Sequence, residues 1–346
     1  MMSQILKRAA AASLVAVLAL AGCGKEENKA ADRAPNELNF SILAPESASS
    51  LETSWNPILA DMEKSTGLKI KPFFASNYTA LIEAMRFKQT DAGWFSNLPG
   101  LEAVRRADGE VFARTSDPSG EDGYRSIIIV PANSKTTLDD LLKCGKTLNF
   151  GIGDVKSTSG TMAPMTYLFA PRDIKPETCF KTVKSANHQV NMFSVANGVL
   201  DAATGNSTSL RLQKEKEAAD PSATKVSAKI RVIWQSPPLP EDPIIWRKDL
   251  DPEIKEKLRQ FFLTYAQGDG PDAVRQRGYL AKLSIGGFKP ADDTHLLPVR
   301  EMEATQNLEL AKMDGDKAKI DAAQKAFAVI AAERAALEAK TGQPVR

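Results

Sequence analysis

A surplus of either charge is what this sequence lacks most plainly. Its 346 residues carry 45 Lys and Arg against 43 Asp and Glu. Two of the basic residues, Lys7 and Arg8, belong to a leader-like start, and without residues 1–22 the balance is 43 to 43. Such neutrality gives no support to a nucleic-acid backbone or a charged membrane face as partner. Histidine is scarce as well: His188 and His295 are the only two, and no cluster of histidines and carboxylates is spaced for a metal. No G-x-S-x-G elbow is available to present a nucleophile. A Walker A loop would need glycine where Asp140 stands ahead of Gly145-Lys146-Thr147. A dinucleotide fingerprint starting at Gly151 would need glycine at the position of Lys156, so neither phosphate motif is present. The expectation is a protein without metal or other cofactor, and not an enzyme.

What is present centres on Asn149-Phe150-Gly151-Ile152-Gly153-Asp154-Val155-Lys156-Ser157-Thr158-Ser159-Gly160. An apolar strand, Thr147–Phe150, runs into a glycine turn and three successive hydroxyl residues, and a helix is predicted over Thr161–Ala170. Hydroxyls and free backbone N–H groups at a helix start suit an oxyanion such as phosphate, phosphonate, sulfate or carboxylate. They equally suit an ordinary Ser/Thr cap. The stretch alone leaves both readings open.

The first twenty-two residues read as a processing signal, with a basic start and an apolar run, Ala9–Ala21, too short to span a bilayer. Leu20-Ala21-Gly22-Cys23 matches the lipobox of bacterial lipoproteins, which predicts lipidation of Cys23 and a place in the cell envelope, facing the periplasm or the outer surface. Gly24 follows the cysteine rather than aspartate, so the choice of membrane stays open. Residues 23–37 then read as the anchor and a flexible tether, charged and poor in large apolar groups. Cys144 and Cys179 are the remaining cysteines; an exported, even pair forms either a disulfide or two inert thiols. Each lies just before a predicted strand, so parallel neighbours would bring them together.

From Leu38 onward strands and helices alternate. The strands are Leu38–Ala44, Leu68–Phe74, Asp91–Phe95, Val111–Thr115 and Ser126–Val130, then Phe180–Val183, Asp201–Thr204 and Ile230–Gln235. Between them lie helices such as Ser50–Lys64, Tyr78–Phe87, Asn97–Ala107 and Gln189–Ala196. This rhythm argues for an α/β fold with a largely parallel sheet. Four prolines within Ser236–Pro243 mark an extended crossing segment, followed by a strand at Ile244–Arg247 and a helix at Pro252–Ala266. The tail, Arg300–Lys340, reads as one or two long helices broken at Asp314-Gly315. They either pack on the body or form a homodimer contact.

Several separated segments resemble the periplasmic phosphonate-binding proteins of ABC uptake systems. They are Leu38-Asn39-Phe40, Asp61-Met62-Glu63-Lys64, Ala84-Met85-Arg86-Phe87, Gly153–Gly160 and Asp242-Pro243-Ile244-Ile245-Trp246-Arg247. The likeness runs from about Leu38 to Arg300. It implies a two-lobe periplasmic-binding-protein fold of type II, hinged by two crossing strands, with residues 38–126 and 241–298 in lobe one, 127–240 in lobe two, and 299–346 as a C-terminal helical extension. The implied function is capture of a phosphonate between closing lobes and delivery to an ABC permease. A receptor for inorganic phosphite, phosphate or another small oxyanion is the alternative.

Carried over residue by residue, the resemblance implies a ligand site of Tyr78, Tyr124, Ser157, Thr158, Ser159, His188 and Asp242. Hydroxyls and His188 would meet the phosphonyl oxygens, and the tyrosines would wall the organic end. Relatives that bind 2-aminoethylphosphonate carry a glutamate in the segment matching Asn206-Ser207-Thr208-Ser209, where this chain has Thr208. With Asp242 as sole carboxylate, reduced preference for an amine is expected, which makes Thr208 the specificity-determining position. His295 lies outside the pattern and is expected on the solvated surface.

Overall fold

The computed structural model describes residues 36–342, apart from Ala44 and Pro221. The lipobox and Cys23 lie outside the described residues. Eleven strands are present among the described residues: β1 (Glu37–Ile42), β2 (Lys69–Phe74), β3 (Ala92–Trp94), β4 (Gly109–Ser116), β5 (Ser126–Pro131), β6 (Asn149–Ile152), β7 (Thr182–Ser185), β8 (Ala202–Asn206), β9 (Ile230–Gln235), β10 (Pro243–Arg247) and β11 (Gly287–Pro290). They form two sheets, ordered β11-β4-β10-β3-β1-β2 and β7-β6-β8-β5-β9.

The sheets are mixed rather than largely parallel. β2, β1 and β3 run parallel, as do β7, β6 and β8. β10 is antiparallel to β3 and β4, and β5 is antiparallel to β8 and β9. β5 and β10 are the strands that follow each passage of the chain from one sheet to the other. They enter without the helical crossover that makes neighbours parallel, so alternation of elements did not reveal their direction.

Each sheet is held by its own apolar core. Helix Ala48–Thr66 buries Leu51, Trp55, Ile58, Leu59 and Met62 along one stripe, and Gly67 ends it at φ 69°. Trp55 tilts against Phe40, and Phe112 stacks on Trp246 with centroids 3.9 Å apart. Around the second sheet, Phe150 stacks on Phe180 at 4.2 Å and meets Phe169 edge-on. The parallel pairing of β6 with β7 sets Asn149 opposite Thr182. The segments leading into them carry the disulfide Cys144–Cys179, with a Cα–Cα distance of 4.1 Å.

The two passages between the sheets are joined to each other. Tyr124 N donates to Leu239 O at 3.1 Å, and Leu239 N donates to Tyr124 O at 2.7 Å. Gly123 sits at φ 122°, and a Cβ there would fall 2.4 Å from Leu239 O. Only glycine allows this approach.

The tail is two helices, Leu297–Asp314 and Lys317–Thr341, separated at Gly315 with φ 70°. The first packs on the body: Val299 and Met302 are buried, and Met302 O accepts from Thr166 Oγ1 at 3.2 Å. The second has no buried residue and leans on the first, partly through Arg300–Glu333 at 2.8 Å. Among the described residues no helix is long and apolar enough to cross a membrane, and no group of His, Cys, Asp or Glu is placed to hold a metal ion.

Candidate functional site

The hydroxyl stretch lies where β6 ends. Gly153 N donates to Gly160 O at 3.0 Å, folding the loop back on itself. A Cβ on Gly160 would stand 2.8 Å from the Gly153 Cα and 3.2 Å from His188 Cε1, so this close packing depends on glycine. Ser157 caps the helical run that follows, its Oγ accepting from Gly160 N at 3.0 Å. That run is not the plain helix expected over Thr161–Ala170. It begins at Thr158 and contains two wide π turns, Thr158–Met162 and Met165–Phe169. Such turns often mark functional positions.

The three hydroxyls have separate placements. Ser159 lines a cavity, with Oγ 3.4 Å from His188 Nε2 and 3.5 Å from Asn206 Nδ2. Thr158 is turned to the other sheet: its Oγ1 accepts from Leu98 N at 2.8 Å and lies 2.9 Å from Ser96 Oγ. Ser157 serves as the cap. His188 opens helix His188–Ala196, which Asn187 caps by accepting from Val190 N at 2.9 Å.

The cavity has a volume of about 70 Å³, several times what one water needs. Tyr78, Tyr124, Ser159, His188, Thr208 and Asp242 all line it. Residues of the first sheet's side face those of the second, and contacts draw the two together around it. Arg211 Nη2 bonds Asp117 Oδ2 at 2.6 Å, Lys216 Nζ bonds Glu46 Oε2 at 3.1 Å, and Ser47 N donates to Gln189 Oε1 at 3.1 Å. Lys156 pairs with Glu102.

Over residues 40–296 the sequence matches a family described as the periplasmic substrate-binding protein of phosphonate ABC transporters. The chain belongs to that family. It is 38% identical over 283 residues to the phosphonates-binding periplasmic protein of Escherichia coli strain K12, covering 82% of this chain and 80% of that one. Among solved structures, a binding-protein component of an ABC phosphonate transporter from Pseudomonas aeruginosa superposes with a TM-score of 0.81. It has 36% identity, over 87% of this chain and 99% of the other. A phosphate-import protein of Mycolicibacterium smegmatis is 26% identical over 79% of this chain and 85% of its own length.

The charges of this phosphonate-family site are unusual for an anion receptor. Among the described residues the cavity is lined by three carboxylates, Glu46, Glu241 and Asp242, and by no lysine or arginine. Burial lowers the His188 pKa to about 4, so its ring is neutral at pH 7, and its Nδ1 is buried without a partner. Burial pushes Asp242 well above the usual carboxylate range, and the neighbouring charge of Glu241 adds to this. Burial also raises Tyr78 and Tyr124 far above neutrality, so both remain phenols able to donate.

Sequence reasoning passed over Glu241, Trp94, Ser96 and Asn206, all of which line the cavity. Glu241 had a readable signal, since it precedes Asp242 between Pro240 and Pro243 and so shares its crossing. Ser96 and Asn206 resemble helix caps in sequence, and only the meeting of the two sheets places them in the cavity wall. His295 is also misread: it is part-buried, with Nε2 2.7 Å from Glu241 O. The short helical turn Asp293–Leu296 carries it inward onto the crossing segment.

Proposed function

We propose that this protein is the envelope-anchored receptor of a phosphonate importer, closing two lobes on its ligand and delivering it to the membrane permease. Residues 1–22 would be removed, Cys23 lipidated, and residues 23–37 left as a tether. Lobe one would comprise 38–126 and 241–298, lobe two 127–240, and 299–346 a helical extension. The observation that carries the reading is the meeting of Ser159, His188 and Asn206 with Tyr78, Trp94 and Asp242 around one cavity.

Donors on the first set suit a phosphonyl group. Neutral hydroxyl, amide and imidazole donors hold its oxygens, and each charge-assisted bond contributes about 1.5–3 kcal/mol. Tyr78 and Trp94 supply an apolar wall for the carbon substituent. Ser159, His188 and Asp242 do not line up as a nucleophile with base and acid: Ser159 Oγ lies 3.4 Å from His188 Nε2, and that ring's Nδ1 has no carboxylate to orient it. The ligand therefore leaves as it arrived. Closure is ligand-linked because the anion adds contacts to both lobes at once, beyond those the lobes make directly.

Inorganic phosphite or phosphate fits less well. A compact dianion would bring no group to offset Glu241 and Asp242, and no lining cation to balance it. Calorimetric titration with methylphosphonate, 2-aminoethylphosphonate, phosphite and phosphate tests the reading. Tighter binding of the phosphonates supports it, and preference for phosphate overturns it. For the anchor, Cys23→Ser should leave the chain unprocessed or soluble with its body folded; a processed, acylated mutant in the membrane fraction would refute lipidation at that residue.

A further inference from the structure

The cavity is chemically lopsided. Ser159, His188 and Asn206 give its second-sheet wall hydrogen-bond donors, whereas Glu241 and Asp242 give the crossing segment acceptors. Asp242 Oδ1 and Glu241 Oε1 are both buried without a hydrogen-bond partner. Two acceptor oxygens left dry in one cavity are costly, and a cation placed between them recovers that cost.

Nothing packed around Glu241 supplies the missing charge. Thr115 Oγ1 lies 3.1 Å from Glu241 Oε2, a neutral contact to the other oxygen. Arg114 from β4 is paired with Asp122 at 2.7 Å, and Arg211 is paired with Asp117 at 2.6 Å. Asp117 adds negative charge, and His295, whose ring meets only the Glu241 backbone carbonyl, is lowered to about 4 by burial. Burial raises Glu241 to about 7, with the Asp117 charge adding to it and Thr115, Arg114 and Arg211 opposing it. The group is thus part-protonated near neutrality and able to ionise when a cation arrives.

We propose that Glu241 is a specificity-determining residue which, together with Asp242, receives a cationic group on the organic end of the ligand. The pair is supplied by adjacent residues of one crossing segment. Position 208 is then free to be threonine, which lines the same cavity without charge. The ligand class is narrowed to zwitterions, with a phosphonyl anion at the donor wall and an ammonium at the acceptor end. This rests on the phosphonate reading above.

The test titrates the full chain, purified free of ligand, with 2-aminoethylphosphonate and with ethylphosphonate at pH 7. Wild type and Glu241→Gln are compared in two buffers of different ionisation heat. Wild type should prefer the amine and release protons on binding it. Glu241→Gln should cut that preference by about tenfold to a hundredfold, release fewer protons, and change ethylphosphonate affinity far less than amine affinity. An unchanged preference in Glu241→Gln, or a wild type that prefers ethylphosphonate, overturns the inference while leaving the phosphonate reading standing. Failure of wild type to bind either ligand overturns both. Should Glu241→Gln lose both ligands, Glu241→Asp decides: a retained amine preference supports the role, and a lost one overturns it.

Discussion

Thr158 Oγ1 accepts a hydrogen bond from Leu98 N at 2.8 Å, joining the helical run after β6 to the start of helix Asn97–Arg106 beside the other sheet. Ser96 Oγ stands 2.9 Å from the same oxygen. One buried hydroxyl thus bridges the two halves of the molecule at the edge of the ligand cavity. Removing it leaves the Leu98 N–H unsatisfied in the closed form, at a cost of about 1–3 kcal/mol. Thr158→Val should therefore weaken all phosphonates by a similar factor, about fivefold to a hundredfold. Small-angle scattering should show a more open ligand-free form. Unchanged affinity and unchanged dimensions would remove Thr158 from the closure.

Ser159 and His188 meet at the donor wall, so Ser159→Ala and His188→Ala should each lower affinity for every phosphonate, whatever its substituent. The expected loss is about tenfold to a hundredfold for each. Because the two side chains are in contact, the double variant should lose less than the product of the two single effects. Calorimetry giving strict additivity, or a loss confined to one substituent, would argue against a shared phosphonyl contact.

Stability should depend on pH through the same cavity. Glu241 is raised from 4.5 to about 7 in the folded chain. Below pH 4.5 it is protonated folded or unfolded and has no effect. As pH rises from 4.5 toward 7 the unfolded chain gives up this proton while the folded state keeps it, so up to about 3 kcal/mol of stability is lost, fully so once pH passes 7. Glu241→Gln should accordingly raise the melting temperature of ligand-free protein at pH 8 and change it little at pH 4.5. The histidines act in the opposite window. Both are lowered to about 4 by burial, so protonation of the unfolded chain removes stability as pH falls from 6.5 toward 4. His188→Gln should flatten that acid limb.

The Cys144–Cys179 bridge closes a loop across a sequence separation of 35 residues beside β6 and β7. Its removal in Cys144→Ser should cost about 2–4 kcal/mol. Wild type in reductant should melt like the variant without it; equal melting in oxidised and reduced wild type would show that the bridge contributes nothing.

Much of this was legible in the chain. Strand β9 and the helix starting at Pro252 were readable because apolar periodicity and proline placement are local signals. Gly315 announced the break in the tail. The reversed direction of β5 and β10 was not legible, since it depends on where the chain arrives from rather than on any residue in the strand. The site followed the same division. Ser159 stood out by residue type beside a glycine turn and His188 only through the family resemblance, and both line the cavity. Thr158 belonged to the same triplet, yet its oxygen is committed to Leu98, sixty residues away. Asp242 matched a family pattern, whereas Glu241 offered only its place beside it, and its buried, unpartnered oxygen appears in the structure alone.

The cavity should hold an intact phosphonate. Gently purified protein should be denatured and its released ligand identified by phosphorus NMR and mass spectrometry. The expected compound has its carbon–phosphorus bond unbroken, is present in about one equivalent per chain and carries an amine on its organic end. Release of inorganic phosphate, or of a ligand without phosphorus, would contradict it.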